Sequence, residues 1–425
     1  MEFENKVLLG TCLEILRKIP DNTYHSVVTD PPYGLGDRDP TPEEILAFFM
    51  GAALSTGGDF MGSDWEIPSV LVWKEVYRVL RPGGYLLTFG GTRTWDLISM
   101  GCRLAGFEMR DTLSDQYPAL QWIQGMGMSH GLNISKEIDA DLGVEREIVH
   151  RYKAGGNAMT STKLKGGTYS TGAPNSPAGE LTVTAAGSAE AKLWEGWHTN
   201  LKPAWEPIMM FRKPLDGTVL ENIRKWGCGG INIDGCRVFT DWQEADRPES
   251  WKKSGHTKKP EAKKIAAPPG NGIQCHPLGR FPANLIFVEA HGAYGCPVAE
   301  LEDQKANTSR YFNVFPVHFM YAPKTSTKEA TLDGRIENEH NTKKPVAVMR
   351  WLVRMVTPKG GIILDPYCGS GSTLHAAIKE GCLYTGIERE ESSHKTALER
   401  VVLVQADHEE ETAESSLFDL AMSNG

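Results

Sequence analysis

The sequence predicts an α/β fold, a mainly parallel sheet built from βαβ units. Three observations lead there. Short apolar runs alternate with segments of helical spacing at both ends of the chain. Gly- and Pro-bearing stops separate them, as at Arg81-Pro82-Gly83-Gly84 and Pro358-Lys359-Gly360-Gly361. Two strand ends carry an acid followed by proline, Asp30-Pro31-Pro32-Tyr33 and Asp365-Pro366-Tyr367. They lie where open α/β sheets bind ligands, at the carboxyl edge of the strands.

The elements follow in order. Val7-Leu8-Leu9-Gly10 reads as a short buried strand, and Thr11 to Leu16 as a capped helical turn. Ser26 to Thr29 is a second strand, ended by two prolines that fix φ and remove two N–H donors. Gly34 to Met61 is a Gly- and Pro-rich loop beside that turn, with an apolar segment at Ile45 to Leu54. Val70 to Leu80 has helical spacing, Tyr85 to Gly90 is a strand, Thr92 to Ala105 a helix and Phe107 to Thr112 a strand.

That rhythm breaks near Asp115. The chain then runs Gly- and Ser-rich to about Pro316, with strand-like runs at Pro207–Phe211 and Asn284–Val288. An insertion of such length is usually functional. The rhythm returns with helical spacing over Val346–Val356, a strand Ile362–Asp365, a helix Thr373–Glu380, a strand Tyr384–Glu388 and a helix Arg389–Val404. The expected organisation is 1–115 and 316–405 as the two halves of one domain, 116–315 inserted between them, and 406–425 an acidic tail.

At 425 residues the chain suits two or three domains, or one large domain with insertions. No apolar run approaches the roughly 18 residues of a membrane span, and the N-terminus lacks a signal pattern. The eight cysteines form no disulfide or CxxC framework, which suits a reducing cytoplasm. Cys228, Cys236, Cys275, His276, His291 and Cys296 lack the tight pair spacing of zinc sites, so no metal is expected. The net charge is −9, of which Asp407, Glu409, Glu410, Glu411, Glu414 and Asp419 carry six. Lys252, Lys253, Lys258, Lys259, Lys263 and Lys264 form a basic patch, read either as a solvated loop or as a phosphate-binding surface.

Asp365-Pro366-Tyr367-Cys368-Gly369-Ser370-Gly371-Ser372-Thr373 joins a strand to a helix through glycines, a turn that brings a ligand close to backbone at a helix N-terminus. Leu374 stands where a dinucleotide fingerprint needs a small residue, and no Gly-Lys-Ser/Thr is present for a P-loop. Glu388, ending the next strand, is placed to accept hydrogen bonds from ribose hydroxyls.

Asp30-Pro31-Pro32-Tyr33 followed far downstream by this Gly turn resembles the amino-group DNA methyltransferases of the permuted, beta-type order, N6-adenine/N4-cytosine, and in particular phage-type members. His340 to Pro345 resembles that family's H-x-T-x-K-P segment, and Gly386-Ile387-Glu388 its ribose-binding segment. Gly10 to Leu16 resembles G-D-C-x-x-x-L, with Thr11 in place of Asp. Lys202-Pro203-Ala204-Trp205-Glu206-Pro207 and Gly279 to Asn284 resemble segments of phage-type members.

The resemblance implies a Rossmann-like sheet with helices on both faces, circularly permuted motif order and a large inserted recognition region. It implies S-adenosyl-L-methionine as cofactor, held by the 365–373 turn, Glu388, Thr342, Lys344, Thr11, Cys12 and Asp30. It further implies double-stranded DNA as substrate, with a homodimer and a cognate restriction enzyme as further partners, in a bacterial or phage-infected cell.

The chemistry suits these residues. An exocyclic ring amine is a poor nucleophile because its lone pair is delocalised. Asp30 and the Pro31 carbonyl can accept its two hydrogens, Pro32 stiffens the turn, and Tyr33 offers a face to a flipped base. Members of the resembled family that act on cytosine N4 more often carry Ser at the head of the motif, so the resemblance implies adenine N6 for Asp30; cytosine N4 is the alternative. A methyltransferase for protein side-chain amides and a catalytically silent DNA-binding protein are the readings of other classes.

Overall fold

The computed structural model describes residues 2–34, 36, 38–55, 57, 66–110, 119–123, 132–153, 163–164, 167–168, 180–199, 205–236, 285–290, 313–317, 327–338 and 343–423. The strands are β1 (Lys6–Leu9), β2 (Tyr24–Thr29), β3 (Leu80–Phe89), β4 (Glu108–Met109), β5 (Ala119–Ile123), β6 (Ile148–Lys153), β7 (Lys163–Leu164), β8 (Gly167–Thr168), β9 (Glu180–Thr184), β10 (Trp205–Arg212), β11 (Leu285–Ala290), β12 (Asn313–Val317), β13 (Ile362–Asp365) and β14 (Leu383–Glu388). The helices are α1 (Cys12–Leu16), α2 (Pro42–Phe49), α3 (Val70–Val79), α4 (Trp95–Leu104), α5 (Ile134–Asp141), α6 (Ala189–Leu193), α7 (Val219–Trp226), α8 (Thr327–Ala330), α9 (Val346–Val356), α10 (Ser372–Lys379) and α11 (Glu391–Ser423).

Ten strands form one sheet in the order β1-β14-β13-β2-β3-β10-β5-β11-β12, with β4 also paired to β10. β1, β14, β13, β2 and β3 run parallel, so the acid-bearing ends of β2, β13 and β14 share one edge. Both halves of the chain contribute to this stretch, which bears out the Rossmann-like α/β expectation.

Alternation across the strands explains why helices cover both faces. Val28, Leu87, Phe89 and Ile363 point into one buried cluster with Val348, Leu352 and Val353 of α9 and Ala376 and Ala377 of α10. Val27, Leu86, Ile362 and Leu364 point the other way, against Ile15, Trp73, Val76 and Ile98 of α1, α3 and α4. A strand buried on both faces reads as continuous apolar sequence, as Val27-Val28 does, while the buried Ser26 hydroxyl is satisfied by the Thr357 hydroxyl at 2.7 Å.

The stretch 116–315 contributes to the main sheet itself. β10 lies antiparallel to β3, pairing Ile208 with Phe89, and Ile208, Met209, Met210 and Phe211 are fully buried. Because β10 runs backwards, its first residues arrive at the carboxyl edge of its parallel neighbours. Beyond it, α5, α6 and the β6–β9 ribbon are organised about Asp139, whose buried carboxylate accepts from Gly187 N, Ser188 N and Arg146. Trp194 and Trp197 meet edge to face and are 40 % and 59 % exposed.

Three local expectations need correction. The Gly34–Met61 loop contains α2, started by a Thr41–Glu44 capping box that satisfies orphan N–H groups reciprocally. Thr11 stands at the N-cap of α1, but its hydroxyl donates to Glu14 (2.7 Å) instead of accepting from the helix. The final helix runs on to Ser423, and the first tail acids are tied down through Arg335–Asp407 and Lys379–Glu411 ion pairs. Among the described residues no helix is long and apolar enough to cross a membrane.

Candidate active site

The acid-bearing edge brings together β2, β13, β14 and the start of β10. Asp365 ends β13 and is buried. It accepts a hydrogen bond from the Thr29 hydroxyl at 2.7 Å and from Tyr367 N at 3.1 Å. Burial, only partly offset by these donors and Thr373, raises its carboxyl to about 6. No ion pair neutralises it among the described residues, so a cationic ligand would suit this position.

Glu388 ends β14 and is also buried. Its carboxylate accepts from Gly369 N (2.9 Å), Arg389 N (2.8 Å) and Glu390 N (2.7 Å), which fix its orientation. Burial nevertheless raises its titration above the ordinary glutamate value. Gly371 starts α10 with φ +86°, a conformation that a side chain would strain. Leu374, the residue that breaks the dinucleotide fingerprint, is fully buried against Gly386. A Cβ on Gly386 would lie 2.7 Å from Leu374 Cδ1 and 2.9 Å from Cys368 Sγ. The close packing of helix on strand is thus obtained by a glycine in β14 rather than one in the turn.

One residue of this half escaped the sequence reading. Arg400 of α11 is buried and donates to the Ser370 carbonyl (2.7 Å) and the Ala330 carbonyl (2.7 Å), clamping the Gly turn from behind. Burial lowers its guanidinium to about 10. Cys12 donates its thiol to Tyr367 Oη at 3.1 Å, and Gly10 N donates to the Glu388 carbonyl at 2.9 Å, so the 10–12 corner does border the turn. The Gly turn and the ribose-type acid together form a cradle that fits a nucleoside cofactor with a cationic centre.

Beside it, at the end of β2, stands Asp30. Tyr33 Oη donates to Asp30 Oδ1 (2.5 Å), and Lys344 Nζ donates to Asp30 Oδ2 (2.6 Å). Lys344 also reaches Glu206 Oε2 (3.1 Å) and Tyr33 Oη (3.2 Å), with Tyr33 Oη 3.5 Å from Glu206 Oε2. The Lys344 ammonium lies over the Phe89 and Tyr33 rings, 4.9 and 5.4 Å from their centroids. Burial opposes its charge, but Asp30 and Glu206 outweigh that and raise its titration. Burial, then the two carboxylates, hold the Tyr33 phenol well above its usual value.

The turn is itself anchored, since Thr94 at the start of α4 donates to the Tyr33 carbonyl at 2.6 Å. Lys344 and Asp30, both expected at the cofactor, meet each other through the Lys344 ammonium. Glu206 was noticed only as part of a segment, because nothing local announces that β10 runs antiparallel into this corner. Thr342 and the six clustered lysines lie outside the described residues.

A glycine turn closed by a strand-end acid thus stands next to an Asp-Pro-Pro-Tyr corner on one sheet edge, an arrangement that suits a nucleoside cofactor. The chain belongs to the DNA methylase family, whose model matches residues 24–399. Its cofactor is accordingly S-adenosyl-L-methionine. Among curated relatives it is 38 % identical over 79 residues to the putative methylase YubD of Escherichia coli K12, covering 19 % of this chain and 35 % of that one. It is 38 % identical over 56 residues to the type II methyltransferase M.BglI of Bacillus subtilis, covering 13 % and 16 %. The matched segments thus span about a third or less of these relatives' lengths. A putative DNA modification methylase of Thermus thermophilus, solved with S-adenosyl-L-methionine, is 16 % identical with a TM-score of 0.39, over 94 % of each chain.

Proposed function

We propose that this chain methylates the N6 amino group of a flipped adenine in double-stranded DNA. The observation that carries this reading is the adjacency of Asp30 to the cofactor turn through Thr29 and Asp365. S-adenosyl-L-methionine supplies an electrophilic methyl on a sulfonium; everything else is asked of side chains already in place.

Gly369 to Thr373 and Glu388 would hold the nucleoside, and ionised Asp365 would compensate its positive charge. Asp30 and the Pro31 carbonyl would each accept one hydrogen of the target amine, turning its nitrogen towards a tetrahedral geometry and freeing the lone pair. A carboxylate has about four lone-pair sites, so Asp30 can accept from the amine while keeping Tyr33 and Lys344. The stiff Pro31-Pro32 turn keeps these acceptors fixed, and much of the rate would come from such placement. Pro32 would stiffen the turn, and the Tyr33 ring would stack against the base. The basic 252–264 stretch would contact phosphates and other parts of 116–315 would read base edges.

Labelled S-adenosyl-L-methionine incubated with the protein and unmethylated DNA, followed by digestion to nucleosides, tests this directly. Label in N6-methyladenine is expected. Label confined to N4-methylcytosine would replace adenine with cytosine, and label on protein but never on DNA would overturn the reading.

A further inference from the structure

The two donors that hold Asp30 share a second acceptor. Lys344 Nζ bonds Asp30 Oδ2 at 2.6 Å and lies 3.1 Å from Glu206 Oε2; Tyr33 Oη bonds Asp30 Oδ1 and lies 3.5 Å from the same oxygen. Glu206 comes from β10, a strand with no part in the Asp-Pro-Pro-Tyr turn. Its carboxylate is about a quarter exposed, whereas the Lys344 side chain is 8 % exposed. The group facing the other side of Lys344 is the apolar Phe89 ring, and the next ionisable neighbour of Asp30 is Asp365.

Methyl transfer poses a charge problem at this spot. The amine's lone pair forms the new N–C bond as the methyl–sulfur bond breaks, its electrons staying on sulfur as a neutral thioether. The nitrogen is left cationic and must release a proton, the electrons of that N–H bond returning to it as a lone pair. Asp30, already accepting that hydrogen, is the nearest base. With Asp30 as its only counterion, Lys344 would be stranded as a buried unpaired cation once Asp30 became neutral, a costly state.

We propose that Glu206 is the positioning residue that removes this obstacle: it keeps Lys344 paired and offers Tyr33 Oη an alternative acceptor, so that Asp30 can take up the proton leaving the methylated amine. The switch needs only a turn of the Tyr33 O–H and a shift of Lys344 towards Glu206. Asp30 then returns the proton to water. The inference rests on the reading of Asp30 as acceptor of the target amine.

The test uses the full chain, saturating tritiated S-adenosyl-L-methionine and plasmid DNA from a methylation-deficient host, in single turnover across pH. Glu206→Gln, which keeps shape and removes charge, is expected to slow transfer at least tenfold at neutral pH while leaving calorimetric cofactor affinity unchanged. With one negative charge gone the cluster holds a proton less readily, so the acid limb of the pH–rate profile should move to lower pH. Glu206→Asp should recover most of the rate. In a Lys344→Met background, where no cation needs a partner, Glu206→Gln should cost less than a further twofold. Equal losses in both backgrounds, an unmoved acid limb, or a Glu206→Gln rate within twofold of wild type would overturn the inference. Melting curves identify a variant that fails to fold, and the Glu206→Asp and Lys344→Met arms then decide. Wild-type protein that leaves DNA unlabelled overturns the functional reading and the inference with it; a labelling wild type beside an unaffected Glu206→Gln overturns the inference alone.

Discussion

The Thr29 hydroxyl donates a 2.7 Å hydrogen bond to Asp365 Oδ1, joining the last residue of β2 to the last residue of β13. These strands lie side by side in the sheet, with Leu364 paired to Val27, yet their sequences are more than 300 residues apart. The bond sets the Asp30-Pro31-Pro32-Tyr33 turn against the 365–373 glycine turn, and both ends of it are buried.

Replacing Thr29 by Val keeps the shape and removes the donor. A buried acceptor left short of a partner costs about 1–3 kcal/mol. A lower melting temperature is expected, together with weaker S-adenosyl-L-methionine binding in calorimetry. Unchanged melting and affinity would show that the bond couples nothing.

Asp365 makes stability and cofactor binding depend on pH in opposite senses. Its folded value of about 6 exceeds the ordinary 3.8, so the folded state holds the proton more tightly. This favourable contribution is complete below the unfolded value and is lost as pH rises through about 6. Asp365→Asn should therefore be more stable than wild type near pH 8 by a few kcal/mol, on the order of 1.4 per unit of the gap, and level with it below about pH 4. In the proposed role the ionised carboxylate faces the cofactor's positive charge, so wild-type affinity should fall about tenfold per pH unit below pH 6. Calorimetric titrations at pH 5, 6 and 7.5 measure this; a flat affinity would remove Asp365 from the cofactor site.

Lys344→Met separates two roles. If the ammonium served the cofactor, its loss would fall mainly on cofactor affinity. Its position on Asp30 predicts instead that the rate of methyl transfer drops by about 100-fold or more with cofactor affinity changed less than threefold. Two partly exposed carboxylates also lose their partner, so a destabilisation of about 1–3 kcal/mol in denaturant melts is expected after allowing for solvent screening.

Asp30→Ala should abolish labelling of DNA while sparing cofactor binding. Tyr33→Phe keeps the ring and removes the hydroxyl held by Asp30, so kcat should fall about tenfold with little effect on the KM for DNA. A Tyr33→Phe protein with wild-type kcat would confine Tyr33 to stacking.

Gly386→Ala introduces a methyl 2.7 Å from Leu374 Cδ1 and 2.9 Å from Cys368 Sγ. Overpacking of this kind typically costs about 1–3 kcal/mol. The variant should melt earlier and bind cofactor less tightly, and Leu374→Ala in the same chain should restore part of both. Failure of the second change to help would place the strain elsewhere.

Much of this molecule is legible in its amino-acid order because the relevant physics is local. Periodicity marks α3, α9 and α10, the Pro31-Pro32 pair marks the end of β2, and glycines at 369 and 371 mark a turn that admits a ligand. Those features located both acid-bearing strand ends and named Asp30, Asp365 and Glu388. Chain order alone did not reveal that β10 turns back into the sheet, because a fully buried run such as Ile208-Met209-Met210-Phe211 carries no sign of its direction or neighbours. It also could not show that the Lys344 ammonium would stand between Asp30 and Glu206, or that Arg400 would clamp Ser370. Those choices are made by side chains far apart in sequence, competing for the same buried charge. Local sequence determined which turns bear the chemistry; only the packing of distant strands decided which charges stand together, since Coulomb interactions in a buried corner follow distance in space.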